Sequence, residues 1–304
     1  MSIDPKSITN SPIHIKTFQN HTLYIKRDDL LNPKFSGNKA RKFYYYLLQD
    51  SPSVKKVVSY GSSQSNAMYS LSVLAKMRGW EYEYYVQHLS SYLQNNPHGN
   101  YKYALENGMK LIVSSKIPKR EMIETKNVLF IEEGGRQKEA QYGIASLASE
   151  IKLWQQANKI PKLNIFLPSG TGATALFLQK HLLQMKSYYR ADVYTVPCVG
   201  DSNYLKLQFE MLERDVIYYP TILKPKKKYH FGKLYKESYN IWLKLRDEMG
   251  IEFDLLYDPV GWLTLLDNPQ ILKKPTLYIH QGGLIGNESM LVRYQRKYGE
   301  DFNG

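Results

Sequence analysis

The stretch LNIFLPSGTGATALFLQKHLL, residues 163–183, changes periodicity in its middle, and that change decides the fold class. Its first half is a continuous apolar run, as expected of a strand buried on both faces. Its second half carries apolar residues at helical spacing. Between them PSGTGATA, residues 168–175, is too rich in glycine and hydroxyl side chains for either element. A glycine-rich turn from a strand into a helix lets backbone N–H groups approach a ligand, and the helix start adds partial positive charge. Ser169, Gly170, Thr171, Gly172 and Thr174 therefore form a candidate phosphate cradle. The turn matches neither the G-x-x-x-x-G-K-[ST] pattern of nucleoside triphosphate loops nor the G-x-G-x-x-G spacing of dinucleotide folds. A tight turn that holds no ligand is the competing reading.

The same alternation runs outward in both directions. Towards the N-terminus, TLYIKRDD, VKKVVSYG, EYEYYVQ, KLIVSS and NVLFIEEGG read as strands. NKARKFYYYLLQD, QSNAMYSLSVLAKMRG, NYKYALENG and EAQYGIASLASEIKLWQQAN read as helices, the second with Met68, Leu71, Leu74 and Ala75 on one face. Towards the C-terminus DVYTVPCVG precedes SNYLKLQFEML, ESYNIWLKLRDEMG precedes FDLLYDP, and PTLYIHQGG precedes NESMLVRYQRKYG. Strands alternating with helices predict an α/β fold of open, mostly parallel sheets flanked by helices, with ligands at the carboxyl ends of the strands.

Composition narrows the function classes. With 304 residues and 43% hydrophobic content, the chain has material for a large core or two ordinary ones. No apolar run approaches the roughly 20 residues of a membrane helix, and MSIDPKSITNSP lacks the apolar core of a signal peptide. A single cysteine, Cys198, fits a reducing compartment, so a cytoplasmic protein is expected. The net charge of +13 favours anionic partners. Its lysines and arginines are scattered, however, and the densest run, KPKKKYH, reads as an exposed loop, so no nucleic-acid or membrane partner is expected. The histidines show no H-E-x-x-H spacing and no metal site is expected. A G-x-S-x-G elbow is absent, which sets aside a serine hydrolase.

Three more strand ends carry candidate chemistry. GSSQSN, residues 61–66, offers Ser65 as a nucleophile or proton carrier and Asn66 as a donor, although its serines also suit helix caps. EEGGRQ and HQGG, residues 132–137 and 280–283, place glycine pairs after strands, where ordinary turns use the same residues. FSGNKARKF, residues 35–43, sets Lys39 at a helix start. A phosphate cradle, a lysine at a helix start and a hydroxyl near a glycine loop together describe a pyridoxal 5'-phosphate site, because an aldehyde cofactor needs one amine and its phosphate needs fixed donors.

At KRDDL, FSGNKARKF and YGSSQSN the chain resembles the pyridoxal-phosphate enzymes that include 1-aminocyclopropane-1-carboxylate deaminase and D-cysteine desulfhydrase, and the order of the later motifs also agrees. The resemblance spans about residues 12–286. It implies a tryptophan-synthase-like, fold type II enzyme with the cofactor in a cleft between two domains: residues 1–50 plus 142–304, and a smaller inserted domain of residues 51–141. It implies a homodimer acting on a small amino acid. Lys39 would be the lysine that forms the imine and the base at the substrate α-carbon. Lys42 would contact the phosphate with Ser169, Gly170, Thr171 and Gly172. Ser65 would lie near the substrate carboxylate, and Asn66 would hold ring or substrate.

The family commonly reads Asp-Pro-Val-Tyr followed by Glu or Thr, with the tyrosine near substrate and the next residue at the ring nitrogen. Aligned on DPVGWLTLL, those positions fall on Gly261 and Trp262. Tryptophan carries only a donor, leaving Thr264 as a substitute. A second family tyrosine aligns with Phe231, and the residue after Q-S-N is Ala67. This alignment argues against cyclopropane ring opening and favours β-elimination from a small amino acid such as D-cysteine, giving a keto acid and ammonia. A non-catalytic protein that kept the cofactor fold is the alternative from another class.

Overall fold

The computed structural model describes residues 8–35 and 37–299. Residues 1–7, most of the stretch read above for a signal peptide, lie outside them. Ten strands form two sheets: β1 (Ile13–Phe18), β2 (His21–Arg27), β3 (Lys56–Tyr60), β4 (Glu81–Val86), β5 (Met109–Val113), β6 (Val128–Ile131), β7 (Lys162–Ser169), β8 (Arg190–Pro197), β9 (Thr221–Ile222) and β10 (Thr276–His280). The larger sheet has the order β1-β2-β10-β7-β8-β9 and the smaller β5-β4-β3-β6. Every pairing is parallel except β1 with β2, a hairpin edge that the strand-helix alternation did not predict.

The larger sheet is buried on both faces, as its apolar strands require. On β7 Leu163, Ile165 and Leu167 face a core built with Ile144 and Leu147, while Phe166 faces the opposite core with Phe18, Trp242 and Phe253. On β10 Leu277 and Ile279 follow the first face and Tyr278 the second. This is the period of two that the strand pleat imposes. The smaller sheet packs its own core, in which Met68, Leu71, Leu74 and Ala75 of the helix Asn66–Arg78 are buried together, as their spacing predicts. Among the described residues no helix is long and apolar enough to cross a membrane.

One predicted element is absent. FDLLYDP is not a strand: the backbone turns there, with the Asp254 side chain accepting from the N–H groups of Leu256 and Tyr257 at 2.9 and 2.5 Å, before the helix Asp258–Leu266 begins. An aspartate that bonds the backbone two and three residues on replaces ladder bonds with a local turn.

A buried charge network fixes the helix Gly37–Leu48 against the larger sheet. Arg41 donates to Asp28 at 2.9 and 3.1 Å and to Glu150 at 2.6 and 2.8 Å, and Lys26 donates to Glu150 at 2.6 Å. Lys39 and Lys42, three residues apart, share the other face of that helix and line a cavity.

Candidate active site

The cavity, of about 300 Å³, opens where the carboxyl ends of the two sheets meet. Lys39, Lys42, Ser65, Asn66, Ser169, Gly170, Thr171, Gly172 and Thr174 all line it. Residues separated by up to 135 positions in the chain are thus gathered at one site.

The lysine helix starts by close backbone approach. Gly37 has φ +66° and a Cβ placed there would lie 2.0 Å from the Gln281 carbonyl oxygen, so glycine is required. The Asn38 amide N–H donates to that oxygen at 3.0 Å, the Asn38 side chain donates to Gln281 Oε1 at 3.0 Å, and Gln281 donates to the Pro168 carbonyl at 2.7 Å. This chain of bonds ties the ends of β10 and β7 to the residue before Lys39. Lys39 Nζ donates to Asn38 Oδ1 at 3.2 Å. Burial lowers its pKa to about 8, partly offset by the Asp254 carboxylate. An amine so placed is neutral far more often at physiological pH than an ordinary lysine.

One wall of the cavity is built for an anion. Gly172 has φ +73°, and a Cβ there would meet Phe209 at 2.5 Å and Leu205 at 2.6 Å. It precedes the twelve-residue helix Ala173–Gln184, whose N-terminus faces the turn. Thr174 Oγ1 is buried without a hydrogen-bond partner. Lys42 Nζ donates to the Gly134 carbonyl at 3.0 Å and to Thr171 Oγ1 at 3.4 Å, and burial, with Lys39 and Arg136 nearby, holds its pKa well below the usual lysine range. A hydroxyl and a buried lysine that have, among the described residues, no hydrogen-bond and no carboxylate partner respectively, together with a helix start, all gain from a bound phosphate.

Ser65 is both a helix cap and a cavity residue. Its side chain accepts from Ala67 N–H at 3.1 Å and caps the helix Asn66–Arg78, while Ser65 also lines the cavity and shares a hydrogen bond with Tyr84. Asn66 accepts from Asn100 at 2.7 Å and bonds Asp254, bridging the smaller sheet's helices to the opposite wall.

That opposite wall corrects the alignment made from DPVGWLTLL. Gly261 and Trp262 do not line the cavity. Trp262 is fully buried in the core, stacked on Tyr278 at 4.4 Å between Phe18 and Phe253, and Thr264 is fully buried beside it. The residues that do face the cavity are Asp254, Leu256, Tyr257 and Asp258. The sequence Asp254-Leu-Leu-Tyr257-Asp258 repeats the family spacing of aspartate, two residues, tyrosine and acid, four positions earlier. The Asp-Pro-Val match was misleading because Pro259 sits in the first turn of a helix, where its fixed φ is favoured. A tyrosine and an acid therefore stand at that spacing on the cavity wall. The Tyr257 ring packs tilted against Phe231, ring centroids 5.3 Å apart, and Phe231 also lines the cavity without a hydroxyl.

Asp258 accepts from the Tyr278 hydroxyl at 2.6 Å and from Asp254 N–H at 3.0 Å. Burial and the facing Asp254 push its pKa well above the usual carboxylate range, and burial raises Asp254 to about 6. Asp254 has Lys39 nearby, whereas Asp258 is left with the like charge of Asp254, an arrangement that a protonated ring nitrogen beside Asp258 would relieve. His280 stays structural: it is fully buried, its Nε2 2.7 Å from the Glu252 carbonyl. Sequence reasoning missed Asp254, Tyr257, Asp258 and Gln281. Only the first three left a signal, the displaced spacing just described.

No family model matches the sequence and no curated protein is similar to it. Solved structures are. An ACC deaminase homologue aligns over 95% of this chain and 94% of its own at 21% identity, with a TM-score of 0.75. A hydrogen sulfide-producing enzyme from Fusobacterium nucleatum aligns over 93% of this chain and 97% of its own at 13% identity, TM-score 0.61. Threonine deaminase isoform 2 from Solanum lycopersicum aligns over 92% of this chain and 85% of its own at 12% identity, TM-score 0.63. The likeness covers both sheets from end to end, and the chain has the two-sheet α/β architecture of fold type II that these enzymes share.

Proposed function

We propose that the protein is a pyridoxal-phosphate-dependent lyase or deaminase of a small amino acid. The single observation that supports this reading best is that a lysine with a pKa near 8 shares one cavity with an anion-ready turn and a carboxylate pair. Lys39 would supply the amine for the cofactor aldehyde. Lys42, Thr171, Thr174 and the glycine turn hold its phosphate, and Asp258 holds the proton of its ring nitrogen. When bound, the cofactor supplies an electron-withdrawing ring that stabilises the electron pair left at the substrate α-carbon.

The remaining steps belong to the chain. Ser65, at its capped helix start, would orient the substrate carboxylate, and the Lys39 amine would serve as the base for the α-proton. Loss of a β-substituent, followed by hydrolysis, gives a keto acid and ammonia. D-Cysteine would yield pyruvate, ammonia and sulfide. Ring opening of 1-aminocyclopropane-1-carboxylate is the second reading, and a specific observation favours it: Tyr257 lines the cavity, and among the described residues no hydrogen bond engages its hydroxyl. The case against that reaction rested on two absent tyrosines and on Trp262; Tyr257 answers the first and the burial of Trp262 the last, while Phe231 still lines the cavity without a hydroxyl. The same correction removes most of the motive for a non-catalytic protein.

The test is a screen of small D- and L-amino acids, with the cyclopropane substrate included, for keto acid, ammonia and sulfide. Turnover of at least one substrate by the wild-type protein and none by Lys39→Ala is the expected result. Equal activity of the variant would overturn the reading.

A further inference from the structure

The walls of the cavity leave one carboxylate without an obvious duty. Glu132 and Glu133 are neighbours, yet their surroundings differ. Glu132 accepts from the Tyr60 hydroxyl at 2.9 Å and pairs with Arg120 at 3.6 Å and Arg136 at 3.9 Å. Glu133 lines the cavity, and among the described residues no hydrogen bond or ion pair reaches its carboxylate. It opens the short 3-10 turn Glu133–Gly135, in which Gly134 takes φ +66°. Its carboxylate lies close to Gly61, where a Cβ would come within 3.1 Å of Glu133 Oε1 and 2.5 Å of the Tyr84 hydroxyl. Gly61 leads into the serine loop 62–66 that also faces the cavity. Burial raises the pKa of Glu133, with Arg136 pulling the other way.

The other charges at the cavity have partners in the proposed function. Lys42 and the helix start face the phosphate, Asp258 faces the ring nitrogen, Asp254 faces Lys39 and Asn66, and the serine loop faces the substrate carboxylate. Arg136 is spent on Glu132 and on a hydrogen bond to Gln208. Glu133 is exposed where it lines the cavity and has no such partner among the described residues.

We infer that Glu133 selects the substrate side chain, favouring a small amino acid with a cationic amine on its β-carbon over neutral or anionic analogues of the same size. This deepens the proposed function and rests on it. A carboxylate in a partly enclosed cavity attracts a cationic group and repels an anionic one, and such a contact discriminates by the difference between the two.

Titration of the cofactor-loaded protein with 2,3-diaminopropionate, serine and aspartate, each as both enantiomers, tests it through the shift of the cofactor absorbance band. Diaminopropionate should bind at least about tenfold more tightly than serine, a difference of about 1.4 kcal/mol, and aspartate more weakly than either. Glu133→Gln should abolish the preference and Glu133→Asp retain part of it, both with unchanged cofactor uptake. Serine binding as tightly as diaminopropionate, or a preference that survives in Glu133→Gln, would overturn the inference alone. A protein that forms no cofactor band would instead overturn the proposed function beneath it, and the inference with it.

Discussion

The two walls of the cavity carry opposite kinds of ionisable group, a buried lysine on one and buried carboxyls on the other, and were built in opposite ways. The phosphate-facing wall comes from one continuous turn, residues 168–174, with Lys42 placed against it. The facing wall comes from a turn at residues 254–258 whose shape depends on Asp254 bonding its own backbone and on Asn66 reaching across from the smaller sheet. The first wall lacks an anion and the second lacks a cation. A ligand with a phosphate at one end and a protonated ring nitrogen at the other satisfies both, and the polarity fixes which way round it lies.

The largest effect should come from removing the group between the walls. Lys39→Ala should reduce turnover by at least about 10³-fold, the scale of losing a positioned base and a covalent attachment together. Steady-state kinetics on any substrate found in the screen measures it. Next comes the phosphate-facing wall. Gly172→Ala forces a side chain into φ +73° and against Phe209 and Leu205, and should weaken cofactor binding by about tenfold or more, read by fluorescence titration.

The facing wall offers the sharper contrast. Asp258→Asn should lower turnover by about tenfold to a hundredfold while the protein still takes up cofactor. Trp262→Phe, four residues on, should change turnover by less than about threefold and act on stability instead, because Trp262 packs in the core. If Trp262→Phe were the more damaging to catalysis, the four-residue correction would be wrong.

The smallest effect is in the pH dependence. Lys39 titrates near pH 8, so its amine is neutral above that value and protonated below it. The rate of cofactor uptake by the unloaded protein should rise between pH 7 and 9 and level off beyond. A rate still climbing above pH 10 would indicate an ordinary lysine. At the acid end burial raises the pKa of Glu150, but Arg41 and Lys26 outweigh it and hold Glu150 at about 2. A carboxylate with a lowered folded pKa contributes stability above its unfolded pKa of roughly 4.5 and loses it as the pH falls towards 2. Acid unfolding monitored by circular dichroism should therefore steepen in that window, and Glu150→Gln should flatten it.

The contrast between the walls also explains what was legible in the sequence. The phosphate turn could be read directly, because strand, glycine turn and helix are consecutive and each leaves a local pattern. Lys39 and Lys42 were legible for the same reason, being one helical turn apart beside a required glycine. The acid wall was not. Asp258-Pro259-Val260 imitates a family motif, yet proline there marks a helix start, and the residue types alone do not say which side of Asp258 faces the cavity. What decides it is tertiary: Trp262 is large and apolar enough to be drawn between Phe18, Phe253 and Tyr278, which turns that face of the helix into the core and leaves Tyr257 and Asp258 lining the cavity. Glu133 was hidden similarly, since nothing local distinguishes it from Glu132.

The most direct test of the central claim is the absorbance spectrum of the protein supplied with pyridoxal phosphate, before and after borohydride, followed by peptide mapping. A yellow band that borohydride removes, with the reduced adduct on Lys39, is the predicted result. A protein that stays colourless, or an adduct on any other lysine, would contradict it.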